Sequence, residues 1–367
     1  LQLQKLGSDG QVLGATIFDS PNGITRLAEH WNTIKAARSK IVKVNDGSLT
    51  HNLVKTKSTT RAEMTAAEEG IWYQAYVKYL DEFKPDIVYY YGGRTLDLLI
   101  GDEAHTRGIP VAAYLANGNF RGTRWCRDVD LILTNSKATA NLYHQRENIK
   151  CLPIGVFIDP TKIIAKNRSP KNVLFINPSL AKGAAIVVRL AMMLEKEQPE
   201  ITFEVVQSRG SWSSLVKTVT SKLGHPRSNL SNIKLTPNVQ DMRPIYSRAR
   251  LLLAPSLWWE AYGRVIAEAH MNGIPTLASS SGGLKEATGN GGKVIVIPSS
   301  YSEPPYTKLP TDDIINPIKD EIKKIFNDKA YYEALSKQAT IEGKKYDIST
   351  QGKELDEIFS ELNRKLN

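Results

Sequence analysis

The chain has 367 residues, 41% hydrophobic and 23% charged, which excludes disordered, collagen-like and disulfide-scaffold classes. At roughly 150 residues per domain the length predicts two domains. Lys and Arg number 48 against 38 Asp and Glu, a net charge of +10, so an anionic partner is favoured: a phosphate ligand, a membrane surface or nucleic acid. Cys126 and Cys151 are too few for a disulfide framework and lack metal-site spacing, so a reducing compartment is expected. No run reaches the ~18 apolar residues of a membrane helix. Residues 1–6 show no signal-peptide pattern, and the start at Leu1 rather than Met is what a piece of a longer protein would show.

Apolar, β-branched and aromatic runs alternate with helical patterns. In the first part, strands are expected at 12–18, 40–44, 87–91, 110–115, 131–135 and 150–153. Helices are expected at 24–38, 62–83, 96–107 and through about 146, with Lys84-Pro85 ending the second of them. The alternation implies βαβ units and a parallel, doubly wound sheet, a Rossmann-like domain over 1–160. Polar and Pro residues at 159–170 read as a linker.

Alternation then restarts. Strands are expected at 173–176, 202–207, 233–235, 251–254, 275–278 and 294–297, and helices at 183–197, 213–223, 242–248 and 263–272. Residues 299–317 are rich in Pro, Ser and Tyr and read as loop; helices at 320–342 and 351–366 follow. The second domain is placed at 171–348 and a C-terminal helix at 349–367. Two doubly wound domains in tandem make the cleft at their strand ends the default ligand site.

The most informative stretch is 255–286. Glu260 sits after a strand and before a helix, and Glu268 lies about two helical turns further on. Gly263 opens that helix, whose free N–H groups suit a diphosphate. Gly273-Ile-Pro275 ends it, and Ser281-Gly-Gly283 forms a second loop at a strand end. A carboxylate suits sugar or ribose hydroxyls because it accepts two hydrogen bonds.

These residues resemble a known family. Glu260-Ala-Tyr-Gly263 followed by Glu268 matches the E-x7-E signature of retaining glycosyltransferases with the GT-B fold, the family-4-like group. The frame fits too: Pro255-Ser256 before it, Asn272-Gly-Ile-Pro275 after it, then Gly282-Gly-x-x-Glu286. The resemblance implies an α/β fold of two Rossmann-like domains facing across a cleft that closes on the donor. It casts Glu260 as the glutamate at the donor sugar and Glu268 as the one at the nucleotide ribose. Tyr262, Gly263 and Arg264 would face the sugar and phosphates, with Gly283 on the neighbouring donor-binding loop. The loop from Asn177 to Gly183 resembles the one where an Arg and a Lys neutralise the diphosphate. Lys182 matches the Lys, but Asn177 stands where the Arg is usual, and Arg209 is a positional substitute. In the first domain Gly23 matches the glycine loop that approaches the phosphates. The usual His after the strand at 110–115 is missing, leaving Asn117 and Asn119, with Arg94, as acceptor-side candidates. The amphipathic final helix fits one crossing back to the first domain, as is common in this fold, or one packed on the second.

The resemblance thus implies retaining transfer of a hexose from a nucleotide-diphosphate sugar, UDP before GDP, to a glycan, lipid-linked glycan or small glycoside. No metal or other cofactor is expected: Asp128-Val-Asp130 precedes a strand rather than ending one. Location would be cytoplasmic, with peripheral contact to an anionic inner membrane face open through basic segments such as 120–127. An epimerase on the same fold and a non-catalytic basic binding or partner subunit are the alternatives. No RRM, KH or helix-turn-helix frame appears, so nucleic acid is not expected as a partner.

Overall fold

The computed structural model describes residues 1–18, 28–92, 97–207 and 211–366. Strands run β1 Gln11–Ala15, β2 Ile41–Asp46, β3 Leu49–Val54, β4 Val88–Tyr91, β5 Val111–Leu115, β6 Leu131–Thr134, β7 Leu152–Pro153, β8 Asn172–Ile176, β9 Phe203–Val206, β10 Ile233–Thr236, β11 Ala249–Ala254, β12 Thr276–Ser279 and β13 Gly292–Ile295. The helices are α1 Gln2–Lys5, α2 Ala28–Ala36, α3 Ala66–Phe83, α4 Leu98–His105, α5 Lys137–Glu147, α6 Pro160–Ile163, α7 Ala184–Glu197, α8 Trp212–Lys222, α9 Arg243–Tyr246, α10 Arg264–Met271, α11 Leu284–Thr288, α12 Asp312–Asn327, α13 Lys329–Gly343 and α14 Ile348–Leu366. The chain packs as two compact units, one of Leu1–Leu115, Asn119–Leu133 and Gly352–Asn367, the other of Ala116–Gly118 and Thr134–Gln351.

The first unit departs from the expected single parallel sheet. β1 pairs in parallel with β3, but β2 and β3 form an antiparallel hairpin, in a sheet separate from the one that begins with β4 and β5. The hairpin turns on Gly47, at φ +61°, between the paired Asp46 and Leu49. A two-residue hairpin turn demands a positive φ there, which glycine supplies without steric cost. Helix α3 starts at a capping box: Thr65 Oγ1 accepts from Glu68 N at 3.3 Å, and Glu68 Oε2 accepts from Thr65 N at 2.8 Å. It ends at Lys84 in the left-handed conformation, directly before Pro85. Its buried face, Tyr76 and Leu80, packs with Ile100 of α4.

The second unit holds a six-stranded, all-parallel sheet ordered β10-β9-β8-β11-β12-β13. Numbered within the unit this is 3-2-1-4-5-6, the doubly wound order, with its switch point between β8 and β11. Both strands are apolar runs buried on both faces, as a parallel sheet covered by helices requires. Helix α7 buries eight residues, including Ile186, Leu190 and Leu194, in the main core with Phe175 and Trp212. Each such side chain contributes about 1.5–3 kcal/mol on burial.

Two expectations are corrected near the end of the chain. The helix thought to begin at 320 begins at Asp312 and carries Pro317 inside it. The stripe Ile314, Ile315, Ile318, Ile322 and Ile325 is buried, and this packing outweighs the backbone bond that Pro317 forfeits. That helix and the next are separate, because Asp328 leaves helical dihedrals and its carboxylate caps α13 by accepting from Tyr331 N at 2.9 Å.

Candidate active site

In an open parallel sheet the ligand-binding end is the carboxyl end of the strands at the switch point. In the second unit that end is built by the loops after β8, β11 and β12. The β8 loop passes through Asn177 at φ +60° and Gly183 at φ +80°, which opens α7. Asn tolerates the left-handed region far better than most side chains, a local reason for Asn at 177. A Cβ on Gly183 would lie 2.2 Å from the Pro255 carbonyl oxygen, so only glycine lets the β8 and β11 loops approach this closely. The same two loops are tied by Ala181 O, which accepts from Leu257 N at 2.8 Å and Trp258 N at 3.0 Å.

Across this junction Lys182 Nζ forms an ion pair with Glu260 Oε1. The same carboxylate oxygen accepts from Ser256 Oγ at 3.0 Å. Glu260 is thus fixed by a charge from one loop and a hydroxyl from its own. Its backbone is held as well: Gly283 N donates to Glu260 O at 2.7 Å, and Ser281 Oγ to Trp258 O at 2.7 Å.

Gly263, at φ +101°, opens α10, and no side chain caps that helix or α7. Uncapped first turns leave N–H groups and dipole available to an anion. Glu268, on α10, accepts from the Tyr246 hydroxyl at 2.7 Å and from Arg264 Nε at 2.9 Å. Burial, reinforced by the adjacent Glu268 carboxylate, pushes the Tyr246 hydroxyl far above its ordinary value, so it remains a donor. Arg264 also reaches Val156 O at 3.2 Å. Tyr262 is buried and packs edge-on to Tyr346 at 5.9 Å, a wall residue rather than a free ligand group.

The unit also includes Asn117 and helix α5. Ser136 Oγ donates to Ala261 O at 2.6 Å, and Glu286 accepts at 2.9 Å from Lys137 N in the first turn of α5. Asn117 O accepts from Tyr143 OH at 2.7 Å. A Cβ on the neighbouring Gly118 would lie 3.2 Å from the Trp259 ring, next to Glu260 in sequence. The structure therefore gathers Lys182, Glu260, Gly263, Arg264, Glu268 and Gly283 on three adjoining loops and one helix. Asn119 belongs to the first unit. Gly23, Arg94 and Arg209 lie outside the described residues.

Sequence reasoning gave no role to Ser256, Tyr246 or Glu286. Ser256 was visible in the Pro-Ser pair before the motif, whereas nothing local marks Tyr246. Among the described residues, no three His, Cys, Asp or Glu side chains cluster as a metal site, and no helix is long and apolar enough to cross a membrane.

Residues 180–304 match the family model described as Glycosyl transferases group 1. A search of curated protein sequences finds no match. Among solved structures, Anabaena Alr3699/HepE in complex with UDP and glucose is 16% identical, with a TM-score of 0.66 over 96% of this chain and 100% of that one. A glycosyltransferase from Rickettsia africae ESF-5 is 13% identical, with a TM-score of 0.69 over 98% of this chain and 92% of that one. The GtfA/B complex matches at 14% identity and a TM-score of 0.60 over 80% of this chain; the match spans 61% of that chain. Residues 180–304 thus resemble the group 1 glycosyltransferases, and the fold of the chain is that of GT-B structures, with two Rossmann-like domains.

Proposed function

We propose that this protein is a glycosyltransferase that moves a hexose from a nucleotide-diphosphate sugar, a UDP-sugar before a GDP-sugar, to a hydroxyl of a glycan, lipid-linked glycan or small glycoside, with retention and without a metal. The observation that carries this reading is the Lys182–Glu260 pair at the β8/β11 switch point, flanked by the uncapped first turns of α7 and α10. The chemistry needs positive charge where the diphosphate departs. Lys182 supplies it, joined by Arg264, by Arg209 as the substitute for the charge absent at Asn177, and by the two helix N-termini. Gly263 and Gly283 let the backbone approach the phosphates and sugar, with Gly23 doing so from the first domain. Tyr262 shapes the wall. Glu268 accepts from the ribose hydroxyls and Glu260 holds the donor sugar. Asn117, Asn119 and Arg94 are the acceptor-side candidates.

In the reaction the acceptor oxygen bonds to the anomeric carbon on the leaving-group face as the bond to the diphosphate oxygen breaks. The acceptor proton passes to the departing phosphate. On donor binding the diphosphate takes over Lys182 from Glu260, and Ser256 keeps the freed carboxylate in place. The UDP-bound Anabaena structure supports the choice of base.

The test is calorimetric titration of the full chain with UDP, GDP and ADP, with and without EDTA. The expected result is tightest binding of UDP, unchanged by EDTA. In Glu268→Ala and Lys182→Ala it weakens ~tenfold or more, the cost of a lost charge-assisted contact. A folded protein that binds none of the three overturns the reading.

A further inference from the structure

The first unit contains a cavity of 870 Å³ at the opposite end of its strands, beside the opening residues of β1 and β4. These two strands belong to separate sheets, and the cavity occupies the place where the sheets do not join. Its size is that of a pocket for a small organic ligand. The wall is unusually aromatic: Trp72, Tyr76, Tyr79 and Phe83 from α3, Tyr89 from β4 and Phe359 from α14. Trp72 and Tyr76 stack at 5.4 Å, and Tyr89 meets Phe359 edge-on at 5.3 Å. Tyr89 remains 41% exposed and Leu1, also in the lining, 45%.

The charged side chains in the lining are three acidic ones, Asp9, Asp86 and Asp356, and one basic one, Lys84. Among the described residues none of the three carboxylates takes part in an ion pair, and Asp356 accepts a long 3.5 Å contact from Ser8 Oγ. In a chain of net charge +10 this is a local excess of negative charge beside aromatic rings. An anionic amphiphile would be repelled here. A cation with an apolar body is attracted twice, by the carboxylates and by the ring faces.

We infer that this cavity is a binding site for an apolar organic cation, an amine or quaternary ammonium with a hydrophobic body, separate from the donor site of the second unit.

The test uses a matched pair of probes on the full chain, 1-naphthylmethylammonium and 1-naphthylacetate, followed by calorimetry at low salt. The expected result is one-to-one binding of the ammonium, ~tenfold tighter than the acetate and unchanged by saturating UDP. The double variant Asp86→Asn, Asp356→Asn alters solvent-facing side chains and should fold as the parent does. It should weaken the ammonium several-fold and leave the acetate unchanged. Tyr89→Ala should weaken both. No ammonium binding, equal or tighter acetate binding, competition by UDP, or an ammonium affinity indifferent to the Asp changes would each overturn the inference. The first three readings need no variant.

Discussion

The Tyr246 hydroxyl donates to Glu268 Oε2 at 2.7 Å, joining a fully buried ring on α9 to the mostly buried carboxylate of the second glutamate on α10. Arg264 holds the other oxygen from the solvent side. Glu268 therefore keeps one orientation before any ligand arrives. Tyr246→Phe removes the inner restraint and leaves the ring packing intact. The expected outcome is a loss of about 1 kcal/mol in stability and a several-fold weaker nucleotide affinity, with turnover at saturating donor little changed. Urea denaturation and nucleotide titration check the two parts separately.

Gly282 takes φ +55°, and a Cβ there would lie 2.0 Å from the Glu260 carbonyl oxygen. Gly282→Ala must displace the backbone that carries Glu260. Gly224 serves as the control: its φ is +79°, with nothing within 4 Å of a Cβ. Both substitutions incur about 1–2 kcal/mol from the left-handed backbone. Only Gly282→Ala should lower transfer activity, by ~tenfold or more, since small misplacements of a reacting group are costly. Equal activity in the two variants would show that the Gly282 contact does not position Glu260.

The second unit was legible almost strand by strand. Its strands are short apolar runs with a helix pattern between each pair but the last, where the short helix α11 at Leu284–Thr288 has no counterpart among the expected elements; that alternation admits few topologies. The motif spacing also placed Glu260 on a strand-end loop and Glu268 within the following helix. The contacts that fix them were not legible, because Lys182–Glu260 spans 78 residues and Tyr246–Glu268 spans 22 across separate elements. In the first unit β3 and its antiparallel pairing with β2 across the Asp46-Gly47 turn have no counterpart among the expected elements, because β3 holds polar Thr50, His51 and Asn52 and breaks the apolar pattern. The end of the 299–317 segment, expected as loop for its Pro, Ser and Tyr, is helical from Asp312 because five buried isoleucines hold the helix through Pro317. Local breakers lose when packing on both sides is strong.

His270 is buried, its Nε2 3.2 Å from Thr276 Oγ1. Burial pushes the imidazole down to about 4, against the opposing attraction of Glu342. The unfolded chain titrates near 6.5 and so takes up a proton that the folded state refuses. Stability contributed by the neutral ring is full above about pH 6.5 and falls as pH drops towards 4, by about 3 kcal/mol in all. Between pH 7 and pH 5 the expected loss from this residue is about 2 kcal/mol. Urea denaturation at the two pH values, run beside His270→Gln, should show that this part of the pH dependence disappears in the variant.

Glu204 is a fully buried carboxylate on β9, one strand in from the edge of the second unit's sheet. It accepts from Asn172 Nδ2 at 3.0 Å, Thr236 Oγ1 at 2.6 Å, and Arg248 Nε and Nη2 at 2.7 and 2.5 Å. Burial alone would raise its pKa, but the Arg248 fork and the Thr236 hydroxyl hold it below the usual carboxylate range. Lys234 Nζ lies 3.9 Å from Glu204 Oε1 but is itself largely exposed, so Arg248 is the main compensation for the buried charge. Arg248→Met should therefore destabilise by about 3–5 kcal/mol at neutral pH. Adding Glu204→Leu to that background removes the orphaned charge and should recover much of the loss. Thermal melts of the single and double variants decide the matter: a double variant no more stable than Arg248→Met would mean that the cost lies in lost packing of the guanidinium rather than in the stranded carboxylate.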